Sequence, residues 1–386
     1  MLHEGRLSRR AFSLGGVALL APARSRVGDL HGFIADHMRR AGIPGLAAAA
    51  GRDGRMIHAS GHGFADLETR RPVAADTMFH IASITKTVTA TAVMQLVERG
   101  RLGLDDDVSD HLAAPIRHPR HPDAPITIRQ LLTHTSGISD RRYYEIDFRE
   151  PGRDASLSLD RFVDDYLRSG GRHFSPDGCF GAAPGAAWDY SNVGYALLGL
   201  AAGRAGGFDM RRQTQRSIFG PLGMRRTSWT LAGAPPRLSA TPYDLVDGRP
   251  TPVVPVGFPD WPAGMIRASA ADLVRFAGAV AAGGAPILSR KARAEMLRMT
   301  RPDGLPTWLT GQGLGWQESL LDGRPLANHW GGDPGVFTAA YLDPERRTAA
   351  VVLTNTSATE PAKAAVKAIA ARLLAEAGGE RRGEGP

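Results

Sequence analysis

Apolar residues recur at helical spacing across 29–40, where Leu30, Phe33, Ile34 and Met38 share one side. Gly42-Ile43-Pro44-Gly45 stops that helix. A continuous apolar run, Leu46 to Ala50, then reads as a strand. The turn dipeptide Asp53-Gly54 leads into a returning strand from Met56 to Ser60. After a connection over 72–79, a long helical pattern opens at Ser83 and runs to about Glu98, with Val88, Ala92, Gln95 and Leu96 grouped on its surface. Gly100 and Gly103 close it. Thr127 caps a short helix reaching Thr133. Ser191 to Ala205 and Ala270 to Ala282 are further helices, the second capped by Ser269, and 286–299 is another. In the last third the pattern changes to short β-type runs, Trp316–Leu320, Phe337–Leu342 and Thr348–Leu353, with a turn at Asp343-Pro344-Glu345-Arg346. An Ala-rich helix from Pro361 to Ala377 ends the pattern, and a polar tail follows.

Helix and strands, then a helical middle, then strands and a helix imply an α+β fold. The two ends pair into an antiparallel sheet flanked by the N- and C-terminal helices. The middle forms a mostly helical lobe, and a cleft lies between the two parts. The region 140–187 is rich in Gly, Asp, Arg and Pro and carries mixed helix and loop signals. The chain has 386 residues, enough for a large core, and its 42% hydrophobic and 22% charged composition is that of a globular protein.

The formal charge is +8. The arginines are scattered, with no basic run and no interleaved aromatics, which argues for a solvated surface and against a nucleic-acid partner. Lysine is scarce: Lys86, Lys291, Lys363 and Lys367 are all there are. The single cysteine, Cys179, excludes an internal disulfide and a multi-cysteine metal site, and reads as a plain thiol. Residues 1–26 have the form of an export signal. Arg6, Arg9 and Arg10 precede a short apolar run from Phe12 to Leu20, and Ala21-Pro22-Ala23 follows. Ser8-Arg9-Arg10-Ala11-Phe12 is similar to a twin-arginine signal. The run is too short for a permanent membrane helix. The expected organisation is a signal over 1–26, one domain over 27–377 and a polar tail over 378–386. The mature protein is expected outside the cytoplasm, periplasmic or extracellular, without stable membrane insertion.

Three constellations carry candidate chemistry. In Ser83-Ile84-Thr85-Lys86, positions three apart share a helix face, so a hydroxyl and an amine meet. A serine needs an adjacent base, and a lysine acts as one only if burial or a neighbouring cation lowers its pKa. A helix start also offers amides to an oxyanion. The plain alternative is an N-cap serine followed by a surface lysine. In Tyr190-Ser191-Asn192, phenol and amide project the same way, the one to pass a proton and the other to bind a substrate carbonyl or Lys86. The alternative is a core tyrosine before a capping Ser-Asn pair. In His329-Trp330-Gly331-Gly332, a glycine-bearing edge strand lets a ligand approach the backbone. The alternative is a tight turn with a packed Trp.

Taken together and in this order, the three motifs resemble those of the serine β-lactamase and penicillin-binding protein family, most closely its branch of class C β-lactamases, D-amino-acid carboxypeptidases and esterases. The resemblance covers about residues 28–375. It includes Gly63-Phe64-Ala65-Asp66, Leu131-Leu132-Thr133-His134-Thr135-Ser136-Gly137, Pro221-Leu222-Gly223-Met224 and Pro262-Ala263-Gly264. It implies a β-lactamase/transpeptidase-like fold and an acyl-enzyme on Ser83, with Lys86 and Tyr190 moving the proton. It further implies an oxyanion hole from the amides of Ser83 and Gly332, substrate binding by Asn192, His329, Trp330 and Gly331, and no metal or organic cofactor. One departure bears on the substrate. Lys-Thr-Gly usually stands at the third motif and binds a carboxylate; here His329-Trp330-Gly331 stands there. A histidine is only partly cationic near neutral pH and Trp has no hydroxyl. The expected substrate is therefore a small ester, amide or peptide, with ester hydrolysis ahead of β-lactam hydrolysis. A non-hydrolytic binder of peptide or cell-wall fragments, and an acyltransferase, are the rival readings. Gly-x-Ser-x-Gly is absent from the sequence, and His111, His118 and His121 read as solvent-exposed rather than as metal ligands.

Overall fold

The computed structural model describes residues 25–379. The segment read as an export signal lies almost wholly outside these residues, as do the last seven positions. An eight-stranded antiparallel sheet forms the centre, in the order Gly311–Gln312, Gln317–Leu321, Arg324–Asp333, Val336–Asp343, Thr348–Thr354, Gly45–Arg52, Arg55–Asp66 and Arg71–Pro72. The two chain ends meet in its middle, where Ala48 faces Val352 and Ala339 faces the same Val352 from the other side.

Both faces of this sheet are covered, which explains the unbroken apolar run at its centre. Leu46, Ala48, Ala350 and Val352 face the terminal helices Ser25–Ala41 and Glu360–Gly378, packing on Ile34, Met38, Val366 and Ile369. Ala47, Ala49, Val351 and Leu353 face the other way, into a core shared with Leu273 and Phe276 of helix Ala270–Ala281 and with the helical lobe. The α+β plan expected from the pattern is the plan of the molecule; the returning strand Arg55–Asp66 runs well past its expected end at Ser60, and Gln317–Leu321 is shifted by one residue.

The lobe is centred on two helices, Thr85–Glu98 and Asn192–Gly206, both buried nearly all round. That is why neither shows a sharp polar face. Three of the first helix's four buried threonines find backbone acceptors for their hydroxyls: Thr87 on Ile84 O (2.7 Å), Thr91 on Thr87 O (2.8 Å) and Thr89 on Pro262 O (2.7 Å). A short sheet, Met78–His80, Arg267–Ser269 and Thr227–Ser228, leads into the first helix. It and the hairpin Tyr243–Val246/Arg249–Pro252 are too brief to give a period. The helix expected over 286–299 is only Arg290–Met296. His118 corrects the reading of solvent-exposed histidines: it is fully buried and packs edge-on against Phe180 at 5.2 Å.

Candidate active site

Ser83 lies on a single 3₁₀ turn, Ala82–Ile84, directly before helix Thr85–Glu98. The chain enters this turn from strand Met78–His80, pinned by Ile81 N–H to Ile266 O at 3.0 Å. Ala82 takes φ +44°, a left-handed backbone that costs an alanine about 1 kcal/mol. The bend leaves Ser83 half-buried at the wall of a cleft of about 560 Å³.

Lys86 follows one turn later and is wholly buried. Its Nζ donates to Asn192 Oδ1 (2.7 Å), Ala263 O (2.9 Å) and Ser83 Oγ (3.3 Å). Burial lowers its pKa to about 7, against the opposing pull of Asp140 and Asp260. Tyr190 joins from the turn before helix Asn192–Gly206, and its phenol is near enough to Ser83 to feel that hydroxyl. Lys86 Nζ sits 4.7 Å from the centre of its ring. Burial drives the Tyr190 phenol well above its ordinary pKa, so it is protonated near neutral pH. Hydroxyl, amine and phenol from two distant motifs therefore share one pocket.

Strand Arg324–Asp333 brings the third motif alongside. Its pairing with Gln317–Leu321 ends at Asn328, so residues 329–333 have a ladder partner on one side and turn their other edge to the cleft. Gly331 has no room for a side chain: a Cβ would overlap the Ile81 carbonyl oxygen and the Thr338 hydroxyl. That hydroxyl also donates to Ile81 O (3.1 Å), tying the strand to the turn that carries Ser83. A Cβ on Gly332, by contrast, would meet nothing within 4 Å. The His329 ring faces the pocket, with Nδ1 2.7 Å from Trp330 O. Burial, and secondarily Lys86, lowers its pKa to about 3, so the ring is neutral. The Trp330 indole leans toward the terminal helices. Its Nε1–H donates to Tyr341 OH (2.8 Å), Lys367 covers it at 4.8 Å, and it stacks on Trp308 at 5.2 Å at the cleft rim.

Several residues that hold this arrangement carried no signal of their own. Asp140, 3% exposed, accepts from the Ser191 hydroxyl (2.8 Å) and from the Asn192 and Val193 amides (2.6 and 3.2 Å), and so fixes the Tyr190-Ser191-Asn192 turn. His134, at φ +58°, stacks on Tyr190 at 4.3 Å and accepts from Ser191 N–H at 3.2 Å. Burial, with Lys86 and His329 adding to it, holds its pKa well down, so it stays neutral. Asp260 is buried in the cleft wall and accepts from Tyr143 OH at 3.2 Å on each oxygen. Burial and Asp140 push its carboxyl up to about 7. Tyr144, Phe148, Trp188 and Phe258 complete an aromatic wall. Only His134 lay in a segment already tied to the family; Asp140 and Asp260 stand in loops without a distinctive pattern. Among the described residues no group of His, Cys, Asp and Glu is arranged to hold a metal ion.

The β-lactamase family model matches residues 30–375. The chain belongs to the β-lactamase family. It is 30% identical to esterase EstB of Burkholderia gladioli over 90% of this chain and 95% of that protein. Its fold is similar to the octameric penicillin-binding protein homologue from Pyrococcus abyssi, with a TM-score of 0.76 and 28% identity over 92% of this chain and 78% of that one. It is also similar to the D-amino acid amidase of Ochrobactrum anthropi SV3, with a TM-score of 0.73 and 26% identity over 91% and 97%. Among the described residues no helix is long and apolar enough to cross a membrane.

Proposed function

We propose that this family member is an exported serine hydrolase that forms an acyl-enzyme on Ser83 and releases it to water, with small carboxylic esters ahead of amides and β-lactams as substrates. The observation that carries this reading is the 3.3 Å contact between Ser83 Oγ and a fully buried lysine whose pKa is lowered to about 7. Near neutral pH a large share of Lys86 is free amine, able to take the Ser83 proton as the hydroxyl attacks a carbonyl. Tyr190 keeps its own proton near neutral pH. Its role is to donate to the leaving group and to be re-supplied through Ser83 and Lys86. The amides of Ser83 and Gly332 are the oxyanion donors in this scheme, and Asn192 holds Lys86 while facing the substrate.

Ester preference rests on the third motif. A β-lactam presents a carboxylate, and His329 is neutral while the Trp330 indole is engaged by Tyr341. Neither supplies a cation or a hydroxyl there. The similarity to an esterase agrees with this reading, and the similarity to a D-amino acid amidase supports a secondary amidase activity. Export rests on the Ser8-Arg9-Arg10 leader. The test is a panel of p-nitrophenyl esters, D-amino-acid amides and nitrocefin, run beside Ser83→Ala and a fluorophosphonate probe. The variant is expected to lose ester turnover and labelling together. Retention of both rejects the reading.

A further inference from the structure

Beyond Asp333 the cleft meets a second cavity of about 520 Å³; the two share His80, Arg149, Asp333 and Pro334. Its walls are largely apolar, with Leu231, Ala234, Pro242, Val253, Val256 and Val336 among them. Arg267 also lines it, although only 4% exposed. Arg267 stands opposite His80 in a short antiparallel pair, so the two side chains project from the same face, three residues before Ser83.

The Arg267 guanidinium is held by neutral groups, Met265 O at 2.7 Å and Val256 O at 2.8 Å. Among the described residues no carboxylate forms an ion pair with it. Asp154 and Asp333 act on it only at longer range. Asp154 is taken up by the Leu231 and Ala232 amides at 2.7 and 3.4 Å. Asp333 is turned to His80 and Arg149, each at 3.8 Å, and burial pushes its carboxyl up to about 6. The other two arginines that line the cavity are exposed and already paired, Arg153 with Glu150 at 2.7 Å and Arg149 with Asp147 at 3.2 Å and Asp333 at 3.8 Å. Burial lowers the Arg267 pKa only to about 10, which leaves the group cationic near neutral pH. A buried cation with no counter-charge in contact is costly, and a carboxylate is an anion that its planar fork fits.

We propose that this cavity is a subsite for the acyl part of the substrate, taking an apolar chain along its walls and a terminal carboxylate on Arg267. The proposal rests on the hydrolase reading above and names its substrate class: esters or amides of acids that carry a second, distal carboxylate. The acyl part is the portion that remains on Ser83 through both halves of the reaction, so an anchor for it serves acylation and deacylation alike.

The test compares mono-p-nitrophenyl esters of glutaric, adipic and suberic acid with methyl-ended esters of equal chain length. For the native enzyme, kcat/KM is expected to favour the carboxylate-ended ester by about tenfold at one length or more, the ratio given by one charge-assisted contact. Arg267→Met brings that ratio to about one, mainly through KM, and Arg267→Lys restores part of it. Ala240→Phe, which narrows the cavity from another wall, lowers kcat/KM for both long esters relative to p-nitrophenyl acetate. A native ratio near or below one at every length overturns the proposal, and so does an unchanged ratio in Arg267→Met. A preference for 4-acetoxybenzoate over phenyl acetate, without one for the acyl carboxylates, also overturns it. Should Arg267→Met fail to fold, the native series and Ala240→Phe still decide. Loss of the subsite while acetate turnover depends on Ser83 leaves the hydrolase reading intact; acetate turnover surviving in Ser83→Ala rejects that reading instead.

Discussion

Lowering pH should switch the enzyme off through Lys86, and removing the Asp260 carboxylate should move that switch. Nζ is buried and held by Asn192 Oδ1 and Ala263 O, so its charge is opposed by loss of water and supported by dipoles and two carboxylates. A fall from 10.5 to about 7 corresponds to about 5 kcal/mol of bias toward the free amine. Only the free amine accepts the Ser83 proton. With a pKa near 7, about a tenth of the enzyme is competent at pH 6 and about nine-tenths at pH 8. The kcat/KM for p-nitrophenyl acetate should therefore rise about tenfold across that interval and then level off. Asp260 raises the Lys86 pKa to the extent that it is ionised, so Asp260→Asn makes the amine easier to free and shifts the acid limb to lower pH. The assay is initial-rate hydrolysis from pH 5 to 9, followed at the isosbestic wavelength of p-nitrophenol, with folding checked by circular dichroism. A profile flat from pH 5 to 8, or a limb that Asp260→Asn moves upward, refutes the assignment of the base.

Other residues give sharper single tests. Asp140→Ala strands a hydroxyl and two amides at the start of a buried helix, and should cost about 2–4 kcal/mol in chemical unfolding and lower kcat. Gly331→Ala forces its Cβ against the Ile81 carbonyl, so the Ser83 turn must shift; kcat/KM should fall more than about tenfold, read by ester hydrolysis. Tyr190→Phe keeps the ring on His134 but removes the hydroxyl that the proposed proton relay needs, and should lower kcat by about 10²–10⁴ with little change in melting temperature.

The sheet and its covering helices were legible because long apolar runs and caps leave local marks. Thr127 caps Ile128–Leu132 with a full capping box, and Ser269 and Ser191 cap the helices they precede. Strand Arg324–Asp333 was harder to read, because Pro325, His329 and two glycines interrupt any alternation. Its interruptions are what the cleft needs: a glycine where the Ile81 carbonyl intrudes and an open edge beyond Asn328. The motif residues stood out because their spacing is local. Asp140 and Asp260 did not, since each acts by reaching a residue far along the chain from a loop with no period. His118 failed for the same reason: a Pro-rich stretch looked solvated, and it is covered by the approach of residues such as Phe180 from far along the chain.

Whether a covalent bond forms at Ser83 can be measured directly. Acid-quenching the enzyme during turnover of a slowly deacylated ester, followed by intact-mass and peptide mapping, should show one acyl group on the peptide that contains Ser83. An acyl group on another residue, or steady turnover with no covalent species in either native enzyme or a deacylation-impaired variant, contradicts the account.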